Sequence, residues 1–219
     1  MGMIPEDKKE LLKNDFNQLV NPVKIVMFTQ EVECDSCNST RELVQELATL
    51  SNKLSVEVYD FVADADKAKE YGVNKIPALA IVGAKDYGVR IYGLPYGYEF
   101  PALLDAIINV SKGETDLSEK TKKILQDVKS PVHIQVFVSM TCPHCPVAIA
   151  VAHKLAIEND FIKADAVNAN EFQDLAIKYN VIGVPKVVIN DKIDFVGAVD
   201  EDLFAENILL ATVSEPLKK

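Results

Sequence analysis

All four cysteines of the chain fall in two Cys-x-x-Cys pairs, Cys34/Cys37 and Cys142/Cys145. Two thiols separated by two residues at a helix start can be bridged within one helical turn. Free backbone N–H groups there stabilise the thiolate of the first cysteine. Cys34 and Cys142 are therefore the expected nucleophiles. Cys37 and Cys145, more enclosed, would resolve the mixed disulfide that each forms. Pro143 suits the first helical position, which needs no N–H donor. His144 brings partial or full positive charge toward Cys142 and favours its thiolate. Asp35 sets a carboxylate beside Cys34 and opposes ionisation there, although it also suits a first helical turn. The expectation is an unequal pair of sites: Cys142/Cys145 faster, more oxidising and principal, Cys34/Cys37 more reducing and auxiliary.

Each pair follows a β-branched, apolar run (Val23 to Thr29, Val132 to Val138) and precedes a helical pattern. Both runs read as strands, the first covered on both faces because it is apolar almost throughout. Before the first strand, residues 5–20 read as an amphipathic helix with Leu11, Leu12, Phe16, Leu19 and Val20 as its apolar positions. After Cys37 follow a helix, a strand over Leu54 to Phe61, a short helix from Asp64 (placed to cap it or to favour its N-terminal dipole), a hairpin over Ala78 to Tyr92, and a helix from Pro101 to Ser111. A further helix over Ser118 to Lys129 leads into a second pass through the same order. Its helix is expected over Cys142 to Glu158, with a strand, a short helix, a hairpin and a last helix over Glu201 to Val213. Cys34 to Pro77 and Cys142 to Pro185 both span 43 residues, and Tyr71 and Tyr179 hold the same register. Gly93 to Phe100 and Gly197 to Phe204 match again after the first hairpin's longer turn. Chance likeness of two α/β units would not keep Cys, Tyr and Pro in step, so the chain is a duplication. The expected units are residues 1–113 and 114–219.

The pattern resembles the protein disulfide oxidoreductases of thermophilic archaea and bacteria, which carry two tandem thioredoxin/glutaredoxin-like units with one Cys-x-x-Cys each. The likeness covers nearly the whole chain. It is closest in the second half, in the runs from Thr141 to Pro146 and from Tyr179 to Ile189. The resemblance implies an α/β fold of two tandem thioredoxin-like units, each a central mixed sheet flanked by helices. It also implies thiol–disulfide exchange on proteins, by reduction, oxidation or isomerisation, with no cofactor and no metal. Pro77 and Pro185 then fall where such folds carry a cis proline facing the cysteines, with the backbone of Ile76 and Val184 free to pair with an extended substrate. The implied partners are protein disulfides or dithiols and a thioredoxin-reductase-like flavoprotein. The first half departs from the pattern, since Asp35 and Ser36 replace the common proline and aromatic residue.

Composition narrows the alternatives. With 219 residues the chain can hold two small domains, and a net charge of −10 without a Lys/Arg cluster argues against nucleic acid as a partner. No apolar run approaches membrane-spanning length and the N-terminus lacks a signal-like apolar core, so a cytoplasmic protein is expected. The acidic, Lys- and Glu-rich composition is compatible with a thermophile. Three other readings remain at this stage. The chain is an electron-transfer adaptor for a peroxiredoxin-type partner, since tandem thioredoxin-like units also form the N-terminal domain of a peroxiredoxin-reducing flavoprotein. Alternatively it is a binding module stapled by one zinc, or a chaperone-like binder using a cleft between units. Asp60, Asp165 and Glu57 are the candidate acids for proton handling. The loop bearing Tyr92, Tyr96 and Tyr98 is either a substrate contact or a packed turn, the latter being expected.

Overall fold

The computed structural model describes residues 2–213. The first half runs α1 (Glu6–Phe16), β1 (Val23–Thr29), α2 (Cys37–Ala48), β2 (Leu54–Asp60), α3 (Ala65–Glu70), β3 (Ala78–Val82), β4 (Asp86–Tyr92), a 3-10 turn (Gly97–Glu99) and α4 (Phe100–Lys112). The second half repeats it as α5 (Glu119–Leu125), β5 (Val132–Val138), α6 (Cys145–Glu158), β6 (Ile162–Asn168), α7 (Gln173–Lys178), β7 (Lys186–Ile189), β8 (Ile193–Val196) and α8 (Glu201–Val213). Within each half the strand order is the same, β2-β1-β3-β4 and β6-β5-β7-β8, with the first two strands parallel and the rest antiparallel.

The halves join edge to edge. β4 pairs with β6 in parallel, from Val89 opposite Ala164 to Tyr92 opposite Val167, so one mixed sheet of eight strands crosses the whole molecule. The near-continuous apolarity of β1 and β5 now has its reason, because both faces of the sheet are covered. Ile25 and Met27 face one core and Val26 and Phe28 the other, all fully buried. The first core runs unbroken beneath α1, α2, α4, α6 and α8 of both halves. At the seam, the His153 Nε2–H of α6 donates to the Arg90 carbonyl of β4 at 3.3 Å. Arg90, 2% exposed, donates to the Tyr71 carbonyl and to both oxygens of Asp86.

Several local expectations shift. In α1 only Leu12 and Phe16 are buried; Leu11 and Val20 face water, and the helix stops at Phe16. Asp64 does not cap α3 with its side chain, because its carboxylate accepts the N–H of Asp60 at 2.9 Å instead. α5 ends at Leu125, a turn earlier than expected. The Asn159 amide takes over the carbonyls of Leu125 (2.8 Å) and Val128 (3.3 Å), which lets the chain turn and bury Val128. Ser118 caps that helix as its residue type suggests, accepting from the Thr121 N–H at 3.1 Å.

Candidate active site

Each cysteine pair sits where the first strand of a half gives way to its main helix. Both pairs are closed as disulfides with Cα atoms 5.5 Å apart. The four cysteines do not converge, since each pair is bridged to itself. α2 begins at Cys37 and α6 at Cys145. The expected helix over Cys142 to Glu158 therefore starts three residues late, and Pro143 is not in its first turn. Pro143 lies exposed in the approach loop, and Pro146 takes the early helical position. The reason is the turn closed by the Cys142 N–H on the Ser139 carbonyl at 3.1 Å, which holds residues 139–142 off the helix axis. Cys37 and Cys145 are fully buried, Cys142 is 6% exposed and Cys34 is partly exposed. In each pair the first cysteine is thus the more exposed of the two.

The bonds from Ile76 to Pro77 and from Val184 to Pro185 are both cis. Cys142 Sγ lies 3.7 Å from the Val184 carbonyl oxygen, so the second disulfide stands directly against this segment. Ile76, Pro77, Cys34 and Asp35 line one cavity of about 580 Å³, whose wall is completed by Asn170, Glu171 and Gln173 of the second half. The predicted cysteines and prolines are therefore brought together in both halves. The predicted tuning residues are looser: His144 is exposed at the N-cap of α6 and makes no side-chain capping bond, and Asp35 is exposed.

None of the three expected acids belongs to either disulfide. Glu57 pairs with Lys24 at 2.9 Å, Asp60 accepts the N–H groups of Val62 and Ala63, and Asp165 holds His133 at 2.7 Å. Two other acids do bear on the sites. Glu171 of the second half accepts a hydrogen bond from the hydroxyl of Ser36, between the two first-half cysteines, and another from the Leu94 N–H at 2.8 Å. Glu99, 3% exposed, accepts from the Asn168 amide at 3.1 Å. Burial pushes the Glu99 carboxyl up to about 8, and the charge of Glu171 adds to the effect. Beside it, the Tyr98 N–H donates to the Met140 carbonyl at 3.0 Å, two residues before Cys142. The Tyr-rich loop of the first half thus rests on the redox loop of the second. Tyr92 is packed as expected, while Tyr96 and Tyr98 are exposed. Its glycines carried the signal for this contact. A Cβ on Gly97 (φ +60°) would stand 2.6 Å from the Met140 carbonyl oxygen, and one on Gly93 (φ +98°) 2.7 Å from Asn168 Cβ.

Residues 23–104 and 132–210 each match the thioredoxin-domain family model. The chain belongs to the thioredoxin-domain family. Its two halves are tandem thioredoxin-like units, each carrying one Cys-x-x-Cys pair closed as a disulfide. Among solved structures, a protein disulfide oxidoreductase from Aeropyrum pernix K1 is 33% identical with a TM-score of 0.87, over 93% of this chain and 91% of that one. Among curated relatives, an NADH dehydrogenase of Bacillus subtilis is 25% identical over 82% of this chain and 33% of its own length. The F subunit of alkyl hydroperoxide reductase of Escherichia coli K12 is 24% identical over 87% of this chain and 34% of its own. The chain spans about a third of the length of these curated relatives. No helix among the described residues is long and apolar enough to cross a membrane.

Proposed function

We propose that this thioredoxin-family protein exchanges disulfides with protein substrates, and that Cys142/Cys145 is the principal centre. The observation that carries the reading is the approach of Cys142 Sγ to the Val184 carbonyl, 3.7 Å. An extended substrate lying along Val184 and Pro185 would bring its own sulfur to Cys142. The reduced Cys142 thiolate attacks a substrate disulfide, forms a mixed disulfide and releases one substrate thiolate. Cys145 then attacks Cys142 Sγ, releases the second thiolate and leaves the closed pair; two electrons have passed to the substrate. Run backwards, the same step oxidises a dithiol. His144 beside Cys142 favours its thiolate, and Ile76 and Pro77 serve Cys34 and Cys37 as Val184 and Pro185 serve the second pair. Exposed Val147 in the first turns of α6 and Ile182 (88% exposed) ahead of Val184 offer apolar contact to an unfolded substrate segment.

We divide the chain into units at residues 113 and 114, where Gly113 (φ +72°) ends α4. In this reading a thioredoxin-reductase-like flavoprotein in the cytoplasm supplies the electrons for the reducing direction. The sequence kinship with the F subunit of alkyl hydroperoxide reductase favours one second reading, in which electrons pass from a flavoprotein to a peroxiredoxin-type partner.

Trapping tests the principal claim. A variant with Cys37→Ser and Cys145→Ser, unable to resolve at either pair, should accumulate a mixed disulfide between Cys142 and a disulfide-bridged peptide, seen by mass spectrometry. An adduct confined to Cys34 would overturn the assignment of the principal centre.

A further inference from the structure

The pocket of the first disulfide is built by both units. Cys34 and Ile76 come from the first, Glu171 and Gln173 from the second, and the last two also stand in the wall of a cavity of about 700 Å³ along the seam. Every charged side chain lining the redox pocket is acidic: Glu33, Asp35 and Glu171. Lys75, the cation nearest in sequence to Ile76, does not line this pocket. Its ammonium group lies 3.5 Å from the centre of the Tyr92 ring and 3.8 Å from an Asp165 oxygen. The carboxylate of Glu171 is held in place by Ser36 and by the Leu94 N–H, so it is fixed against the loop that carries both cysteines. The second disulfide has different neighbours, with His144 next to it and apolar Val147 and Ile182 exposed nearby in the chain.

We infer that the Cys34/Cys37 centre is selective for disulfides flanked by basic residues, and that Glu171, lent by the other unit, sets this selectivity. The inference rests on the disulfide-exchange reading and names a substrate class for its first site. The chemistry is the same exchange: the Cys34 thiolate attacks a substrate sulfur and releases one thiolate. Cys37 then attacks Cys34 Sγ, releases the second and closes the pair, and an external dithiol returns the two electrons. A Lys or Arg beside the attacked cysteine meets the three carboxylates, whereas an Asp or Glu is repelled.

The test uses the full chain with Cys142→Ser and Cys145→Ser, which leaves only the first pair active, and dithiothreitol as the dithiol. Three disulfide-bridged fluorogenic peptides differ only in their flanking residues, Lys, Gln or Glu. The Lys peptide should be reduced about tenfold faster than the Glu peptide at low salt, with the ratio shrinking at high salt. Glu171→Gln should lower that ratio about threefold, and Glu171→Asp should restore most of it. Because the readout is a ratio between peptides, it does not depend on how much of a variant is folded. Equal rates on all three peptides would overturn the selectivity and leave disulfide exchange at this site standing. Failure to reduce any of them would overturn the exchange reading of the first pair itself.

Discussion

Cys142 Sγ and the carbonyl oxygen of Val184 stand 3.7 Å apart although 42 residues separate them in the chain. This contact joins a redox-active sulfur to the backbone that would hold an extended substrate. The first pair shares the arrangement but is half-open, acidic and partly walled by the other unit.

If the two centres are unequal, single substitutions will separate them. Cys142→Ser should lower reduction of insulin by about tenfold or more, whereas Cys34→Ser should keep about half of the activity or more. The turbidity of precipitating insulin B chain, followed with dithiothreitol as reductant, measures both.

Glu99 predicts a pH dependence of stability. Its carboxyl ionises near 4.5 when unfolded and at about 8 when folded, so between those values the unfolded chain has lost a proton that the native one keeps. The stability gained from Glu99 is complete below about 4.5 and is lost as pH rises to about 8, at a slope of up to about 1.4 kcal/mol per pH unit. Urea midpoints of wild type and Glu99→Gln should converge toward low pH and diverge toward pH 8, with the variant flatter.

His153 works in the opposite sense. Burial holds its imidazole down at about 4, against the smaller raising effect of the hydrogen bond that its Nε2–H donates to the Arg90 carbonyl across the seam. An unfolded histidine protonates near 6.5, so the contribution of His153 is present above that value and is lost as pH falls toward 4. His153→Gln, which keeps a donor for Arg90, should lose less stability than wild type between pH 6.5 and 4. Urea midpoints across that range check it.

Arg90 should be the costliest side chain of the seam to remove. It is buried and binds both the Tyr71 carbonyl and the Asp86 carboxylate. Burial pushes Asp86 up, but hydrogen bonds from Arg90 outweigh this and hold it below the usual range. Arg90→Met should destabilise the protein by about 2–3 kcal/mol, the low side for a broken buried pair because Asp86 keeps 34% of its side chain in water. Chemical denaturation of the full chain measures it.

The duplicated scaffold was legible in the sequence because its markers are local: Cys-x-x-Cys, the proline 43 residues on, and strand and helix periods that recur in register. Whatever crosses between units was not. Ser36 and Glu171 are 135 residues apart, and Asn168 and Glu99 are 69 apart, so no periodic pattern couples them. The pairing of β4 with β6 was equally hidden, since an apolar strand reads the same whether its edge meets water, its own unit or another. Pro143 was misread for a smaller reason. A proline at a first helical turn and a proline in the loop before it look alike until the helix start at Cys145 is known.

Unequal centres are tested most directly by the redox potential of each pair measured separately, in chains where the other pair is replaced by serine. Cys142/Cys145 should be the more oxidising by about 30 mV or more, a tenfold difference in the exchange equilibrium. Equal potentials, or a more oxidising Cys34/Cys37, would contradict it.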